Sequence, residues 1–467
     1  MMSFAEIEVE LLHAVLRRAL LRGGDFAEVY LEDRDALAIR LDDGRVDQAL
    51  GGREAGFGVR LVDGSRTFYS HGDEVREQTL FAAADAVARA AAAHARTEVV
   101  DLGPVRGDVG KHPVRVPPET VDVRRKAALL RAGDEAARRV SSSIVQVSAT
   151  YAETRQRVLV ANSRGERVRD DRTRLRFVVS VVARRDGVIQ TGYEALGASA
   201  GFEIIDERGA ADIAVAAANK AVTMLDARPA PAGAMPVVLA NGFGGVLFHE
   251  ACGHGLEADT VAKGASVYAG KLGQRIAAPG VDAFDDGLLR NGWGSAAFDD
   301  EGTPTQRTQV IADGILCSFL YDRLEANKAG VRSTGNGRRQ SFRHVPLPRM
   351  TTTYIAGGQA TAEEIIAATP YGFYAKSLAG GQVEPASGAF VFGVAEGYLI
   401  EHGRVTAPLR GATLIGSGIE ILNRIDMIAG DLEVKSGMCG KEGQGVPVGT
   451  GQATLRVSEM TVGGTAA

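Results

Sequence analysis

The alternation of apolar and polar positions changes character twice along the chain. Leu12, Val15, Leu16, Ala19 and Leu20 fall on one side of a 3.6-residue period, so residues 5–22 predict an amphipathic helix. Short two-residue alternations follow at 27–32 (AEVYLE) and 37–41 (LAIRL). After the Asp43-Gly44 turn come RVDQAL, GFGVRLV and RTFYS, and together these predict a meander of strands. An alanine-rich helix is expected from Asp73 to about Ala95. Four prolines (Pro104, Pro113, Pro117 and Pro118) mark 100–118 as a linker. A second unit repeats the order of helix and strands, with a helix over Glu119–Val140 and strands at VQVSATYAE, RVLVANS and RLRFVVSVVARR. A helix at 205–226 closes it, and RPAPAGAMP (228–236) forms a boundary. Beyond it the chain turns glycine-rich and strand-rich, with helices expected only at residues 249–254 and at TAEEIIAAT (361–369).

The pattern predicts an α+β chain. Helix-and-meander units at 1–100 and 115–227 precede a strand-rich, glycine-rich domain at 235–467 with mixed and antiparallel sheets. A chain of 467 residues has the length for two or three such cores.

Charge and cysteine content narrow the function classes. Lys plus Arg number 53 against 58 Asp plus Glu, a formal charge of −5, which gives no electrostatic basis for nucleic-acid binding. The one basic concentration is Arg332, Arg338, Arg339, Arg343 and Arg349, and it is expected to be an ordinary solvated loop. Cysteines at 252, 317 and 439 form no disulfide framework and fit a reducing compartment. The opening MMSFAEIEVE has acids where a signal peptide carries basic residues, and no apolar run approaches 18 residues. The expectation is a soluble cytoplasmic protein without a membrane partner.

The chemistry concentrates in residues 249–254, His-Glu-Ala-Cys-Gly-His. Imidazole is a favoured zinc ligand, and a carboxylate beside a metal can take a proton from water. Five-residue spacing offsets two side chains on a regular helix by roughly 140°. His249 and His254 therefore converge only if the helix widens or ends just before His254. Gly253 tolerates such a distortion. A catalytic zinc has three protein ligands and an open position, so a third donor is needed. Cys252, in the middle of the string, reads better as a small buried hydrophobe. Glu257 and Asp259 follow closely, Glu257 being the better placed. Cys439 lies in GMCGKEGQGVPVGTGQ, where little core-forming sequence surrounds it. Cys439 is the favoured third ligand and Glu257 the runner-up. The glycines of GSGIE and of 440–451 complete no phosphate-binding motif. His344 in FRHVPLP is either a transition-state hydrogen-bond donor or a structural histidine.

The run HEACGHGLEAD resembles the TldD side of the TldD/PmbA family. So do GNGRRQSFRHVPLPRMTTTY (335–354), GGQVEPASGAFVFGVAEGYLI (380–400), GATLIGSGIE (411–420) and MCGKEGQGVPVGTGQ (438–452). The blocks occur in order over the C-terminal half. The resemblance implies a cytoplasmic zinc metallopeptidase with an HExxxH motif. Its Zn²⁺ ligands map onto His249, His254 and Cys439, with Glu250 as the catalytic carboxylate. It also implies pairing with a paralogous PmbA or TldE subunit that lacks the motif, with a homodimer as the fallback. The expected reaction is hydrolysis of unfolded or extended peptides, in leader-peptide processing or peptide degradation. The rival from another class is a non-proteolytic regulatory protein with a structural metal, because the family has been linked by name to DNA gyrase modulation.

Overall fold

A computed structural model of the chain describes residues 7–91, 98–107 and 112–465. The expected N-terminal helix forms over Val9–Ala19 and buries Leu12, Val15, Leu16 and Ala19. Residues 5 and 6 of that expectation lie outside the described residues, as do 92–95 of the alanine-rich helix, which forms over Glu77–Ala90. Linker residues 108–111 also lie outside them.

The segments expected as separate strands at 27–32 and 37–41 are one strand, Phe26–Asp42, and VQVSATYAE and RVLVANS join as Ile144–Asn162. The polar stretch Asp33-Arg34-Asp35 looked like a break. It continues the strand because Arg53 donates to Asp33 at 2.7 Å from the neighbouring strand, Arg45–Asp63, and Arg157 reaches Asp33 from the other side at 3.0 Å. The same-face pairs of the ladder thus neutralise charges that would otherwise favour a loop. Phe26–Asp42 pairs antiparallel with both Arg45–Asp63 and Ile144–Asn162. The strands of the two N-terminal segments therefore form one seven-stranded sheet.

Strand alternation gives this sheet two buried faces. Ala27, Val29 and Leu31 pack with Leu12, Leu16 and Leu80 under the first helices, while Tyr151, Phe177 and Val179 pack under the helices Val123–Val140 and Ala210–Leu225. The intervening residues Glu28, Tyr30 and Glu32 face the C-terminal part. There Tyr30, Val158 and Val160 meet Phe298 and Phe342. Buried ion pairs cross this seam: Glu28 to Arg339, Glu301 to Arg60, and Asp300 to Arg172.

The C-terminal part is strand-rich and mixed, as expected. One sheet has six strands, in the order 315–316, 307–312, 283–286, 352–355, 444–452 and 433–441. The strands Thr352–Ile355 and Gln444–Gln452 run parallel. A second sheet has eight strands and closes partly on itself, because Tyr371–Glu384 pairs with both Gly233–Leu239 and Ala389–Glu401. The strand Leu455–Gly463 lies inside this run, between Gly233–Leu239 and Thr413–Ser417. Leu247, Phe248 and Ala251 of the helix Gly245–Ala251 sit in the common core with Phe373, Phe390, Ile355 and Val446, which come from both sheets. The expected helix in 361–369 forms over Ala362–Ala367, capped by Thr361 and Glu364. Helices at Ala258–Ala262, Arg323–Ala329 and Gly418–Asn423 were not expected. Each is too short to establish a period. No helix among the described residues is long and apolar enough to cross a membrane.

Arg332 is exposed as expected, but most of the arginine concentration is not a solvated loop. Arg338, Arg339 and Arg349 are buried, Arg349 completely. Arg339 pairs with Glu28, Arg343 with Glu54 and Asp73, and Arg338 donates to the Met350 and Pro447 carbonyls. Their charged partners lie far away in sequence, so local composition misled.

Candidate metal centre

The helix Gly245–Ala251 enters the centre in close backbone contact with the strand Gln444–Gln452. A methyl group added at Gly245 would lie 2.4 Å from the carbonyl carbon of Gly451, so helix and strand touch backbone to backbone. The helix stops at Ala251, where Cys252 takes φ −123° and ψ −49°, and a 3₁₀ turn, Gly253–Leu256, follows. This termination supplies the convergence that the five-residue spacing demands. The His249 and His254 ring centroids are 5.3 Å apart, at an interplanar angle of 80°. Gly253 is needed for space and not for backbone freedom. Its φ is not positive, and an added methyl would fall 2.2 Å from Met350 Sδ.

Cys439 reaches the two rings from the strand Glu433–Lys441, the outermost of the six-stranded sheet. His249, His254 and Cys439 each offer a donor atom, and the donors lie within 4.8 Å of one another. Cys439 Sγ is 3.3 Å from His254 Nε2. Tetrahedral zinc with bonds near 2.3 Å to sulfur and 2.0–2.1 Å to nitrogen needs S···N separations of about 3.6 Å. The His254–Cys439 separation is therefore close to what zinc requires, and the donor types suit it.

Each ring is also oriented from behind. His249 Nδ1 lies 3.0 Å from Thr353 Oγ1, and His254 Nδ1 lies 3.0 Å from Glu257 Oε2. Burial works against charge on His254, but Cys439 and Glu257 outweigh it and raise its pKa to about 10. Burial likewise opposes ionisation of Cys439, yet the two imidazoles bring the thiol down to about 5. Glu250 is set differently. Its carboxylate is one-third exposed, with Oε2 3.8 Å from His254 Nε2. It is the most exposed of the four side chains.

The other named residues separate from the donors. Cys252 is buried beside Tyr268, and burial pushes its thiol up to about 12, in keeping with a hydrophobic role. Glu257 stands behind His254. Asp259 accepts from Lys441 Nζ at 2.6 Å. His344 Nδ1 lies 3.0 Å from Ser341 Oγ, near His71 of the N-terminal sheet, and His344 is not among the residues that gather at the donor cluster. Sequence reasoning missed Thr353 and Lys441, and took Arg349 for part of a solvated loop. Thr353 and Arg349 lie within the family-like block 335–354, but no spacing singled them out.

Three models of the PmbA/TldA metallopeptidase family match the chain: domain 1 at 27–95, the central domain at 116–225 and the C-terminal domain at 232–464. The chain is 39% identical over 452 residues to the Metalloprotease TldD homolog of Haemophilus influenzae, covering 95% of this chain and 94% of that protein. It is 32% identical to a metalloprotease of Methanocaldococcus jannaschii, covering 94% of this chain and 97% of that protein. Among solved structures, a Thermotoga maritima protein named for a proposed modulation of DNA gyrase superposes with a TM-score of 0.81 at 20% identity, covering 97% of this chain and 99% of the other. TldE of Thermococcus kodakarensis superposes with a TM-score of 0.75 at 18% identity, with the same coverage. These two likenesses concern the fold. The sequence relatives are named metalloproteases, and the chain belongs to the PmbA/TldD metallopeptidase family.

Proposed function

We propose that this chain is a zinc-dependent peptidase of the cytoplasm that hydrolyses unfolded or extended peptides, in leader-peptide processing or peptide degradation. One observation carries the reading: His249, His254 and Cys439 gather their donors within 4.8 Å, and a carboxylate, Glu250, stands beside them on the exposed side. Zinc bound there would polarise a carbonyl and lower the pKa of water toward about 7. Glu250 has the position to take a proton from water at Oε2 and deliver it to the departing amine. Thr353 and Glu257 hold the imidazoles with Nε2 directed at the site.

The strand Glu433–Lys441 suggests how substrate is held. It pairs on one side only, with Gln444–Gln452, and it carries Cys439. An extended peptide added at the Cys439 end of its outer edge, beyond the Glu433–Ser436 part that lies against Glu194 and Gly197, would run past the three donors. Main-chain hydrogen bonds would hold it with little dependence on sequence. A PmbA/TldE-type partner, or a second copy of this chain where none is present, would enclose the site and exclude folded proteins. The non-proteolytic alternative needs a closed structural site with four protein ligands and no acid, which the exposed Glu250 disfavours.

The test is cleavage of unfolded peptides by zinc-loaded protein, with and without a PmbA-type subunit. Glu250→Gln should keep the metal and the fold while activity falls by at least ~10²–10⁴-fold. Retained cleavage by metal-replete Glu250→Gln would sink the mechanism. A stable, fully active monomer that degrades folded and unfolded proteins equally would remove the enclosed-site assembly.

A further inference from the structure

Glu257 lies three residues past His254 and is fully buried. Its Oε2 contacts His254 Nδ1 at 3.0 Å and Lys441 Nζ at 3.0 Å, while Oε1 faces Arg349 Nε at 4.0 Å. These contacts put the carboxylate behind the imidazole, on the Nδ1 side. Nε2, on the other side of the ring, faces the Cys439 sulfur. Oε2 of Glu257 is therefore engaged behind the ring, and Glu257 is not among the three residues whose donor atoms gather within 4.8 Å.

Its cationic partners are tied to the same strand as the thiol. Lys441 follows Cys439 by two residues, so strand alternation puts both side chains on one face. Lys441 also bonds Asp259 at 2.6 Å and the Pro348 carbonyl at 3.2 Å. Arg349, with no exposed surface, donates from Nη2 to the Cys439 carbonyl at 2.6 Å and from Nη1 to the Gln444 carbonyl at 3.2 Å. Each of two remote segments thus supplies one donor and one clamp: His254 with Glu257, and Cys439 with Lys441. The clamps bind each other.

We infer that Glu257 is a positioning residue that holds His254 as the Nδ1–H tautomer, with Nε2 aimed at the metal, and that Lys441 and Arg349 lock this imidazole to the hairpin carrying Cys439. A neutral imidazole donates from one nitrogen and coordinates through the other, so an acceptor at Nδ1 selects the tautomer needed. The inference rests on the metal reading above.

Zinc affinity, measured by competition with a chromophoric chelator, tests it without reference to catalysis. Glu257→Met, which leaves Nδ1–H without an acceptor, should weaken binding by about 10–100-fold. Glu257→Gln, whose amide oxygen still accepts, should fall between Glu257→Met and the parent. Cobalt-loaded Glu257→Met should keep its thiolate-to-metal charge-transfer band, because Cys439 still binds. Should Glu257→Met fail to fold because Lys441 and Arg349 lose a buried carboxylate, the Glu257→Met/Lys441→Met double variant removes one charge of each sign and should show the same loss. Parent-like affinity in either protein overturns the inference. So does a zinc-loaded structure with a Glu257 oxygen at bonding distance from the metal. A merely structural role would lower the melting temperature of the metal-free protein without ordering affinity by the acceptor at Nδ1. Failure of the parent protein to bind zinc in the same titration would instead refute the metal reading.

Discussion

Replacing Gly245 with alanine tests whether the contact between the motif helix and the strand behind it sets the geometry of the centre. An added Cβ would meet Gly451 N, C and O at 2.4–2.5 Å. Non-bonded heavy atoms sit comfortably at about 3.5–4.0 Å, so relief requires a displacement of about 1 Å. Neither side has a rotamer to yield, because the obstruction is backbone. Gly451 has little room to retreat, since its own added methyl would stand 2.7 Å from a Val434 side-chain carbon and 2.8 Å from the Glu433 carbonyl. The helix must move, and His249 and Glu250 move with it relative to Cys439. Overpacking of this kind costs about 1–3 kcal/mol, and the rigid surroundings put this case toward the upper end. A 1 Å misplacement of reacting groups costs about 10²-fold in rate. Gly380→Ala is the control, because nothing lies within 4 Å of its added methyl. Thermal melting and kcat on an unfolded peptide should show Gly245→Ala impaired in both and Gly380→Ala in neither. If the two variants behave alike, the close backbone contact does not position the site.

Cys439→Ser should lose most of its zinc affinity and the cobalt charge-transfer band, measured by metal analysis after dialysis; unchanged metal content would remove Cys439 from the ligand set. With zinc bound, a thiol reagent near pH 8 should label exposed Cys317 and spare Cys252, whose thiol burial pushes up to about 12; rapid labelling of Cys252 in folded protein would contradict the packing. Burial raises the pKa of Glu203, but backbone N–H groups of Val116, Arg115 and Gly201 outweigh it and leave the value lowered. Its contribution should be complete above the ordinary carboxylate value of about 4.3 and lost as pH falls through the lowered folded value. Urea midpoints should show Glu203→Gln less stable at neutral pH, by about 1–2 kcal/mol, with the gap closing in acid. A gap that is independent of pH would refute the assignment.

Much of the centre was legible because its constraint is local. Two histidines five apart cannot meet on a regular helix, so a widening or an end before His254 was readable from spacing alone, and the helix ends at Ala251. The part played by Gly253 was not readable, since Met350 approaches it from almost a hundred residues away. The long N-terminal strands were under-read for a related reason. Asp33 and Asp35 look like loop residues until Arg53 and Arg157 face them across the ladder. The arginine concentration inverted its expected exposure because Arg339 finds Glu28 across 311 positions of sequence. Periodicity reports a residue's own element. It is silent about a charge whose partner lies in another.

The position of Leu455–Gly463 inside the eight-stranded sheet has a consequence for when the protein becomes active. The motif residues leave the ribosome well before Cys439, and Gly233–Leu239 must wait longer still for the neighbour that joins it to Thr413–Ser417. Contacts so distant in sequence close late, after the cost of a long loop has been met. A nascent chain that has exposed His249 and Glu250 therefore still lacks both the thiolate and the sheet that supports the helix. The centre is latent by topology during synthesis, and chain extension itself times its assembly.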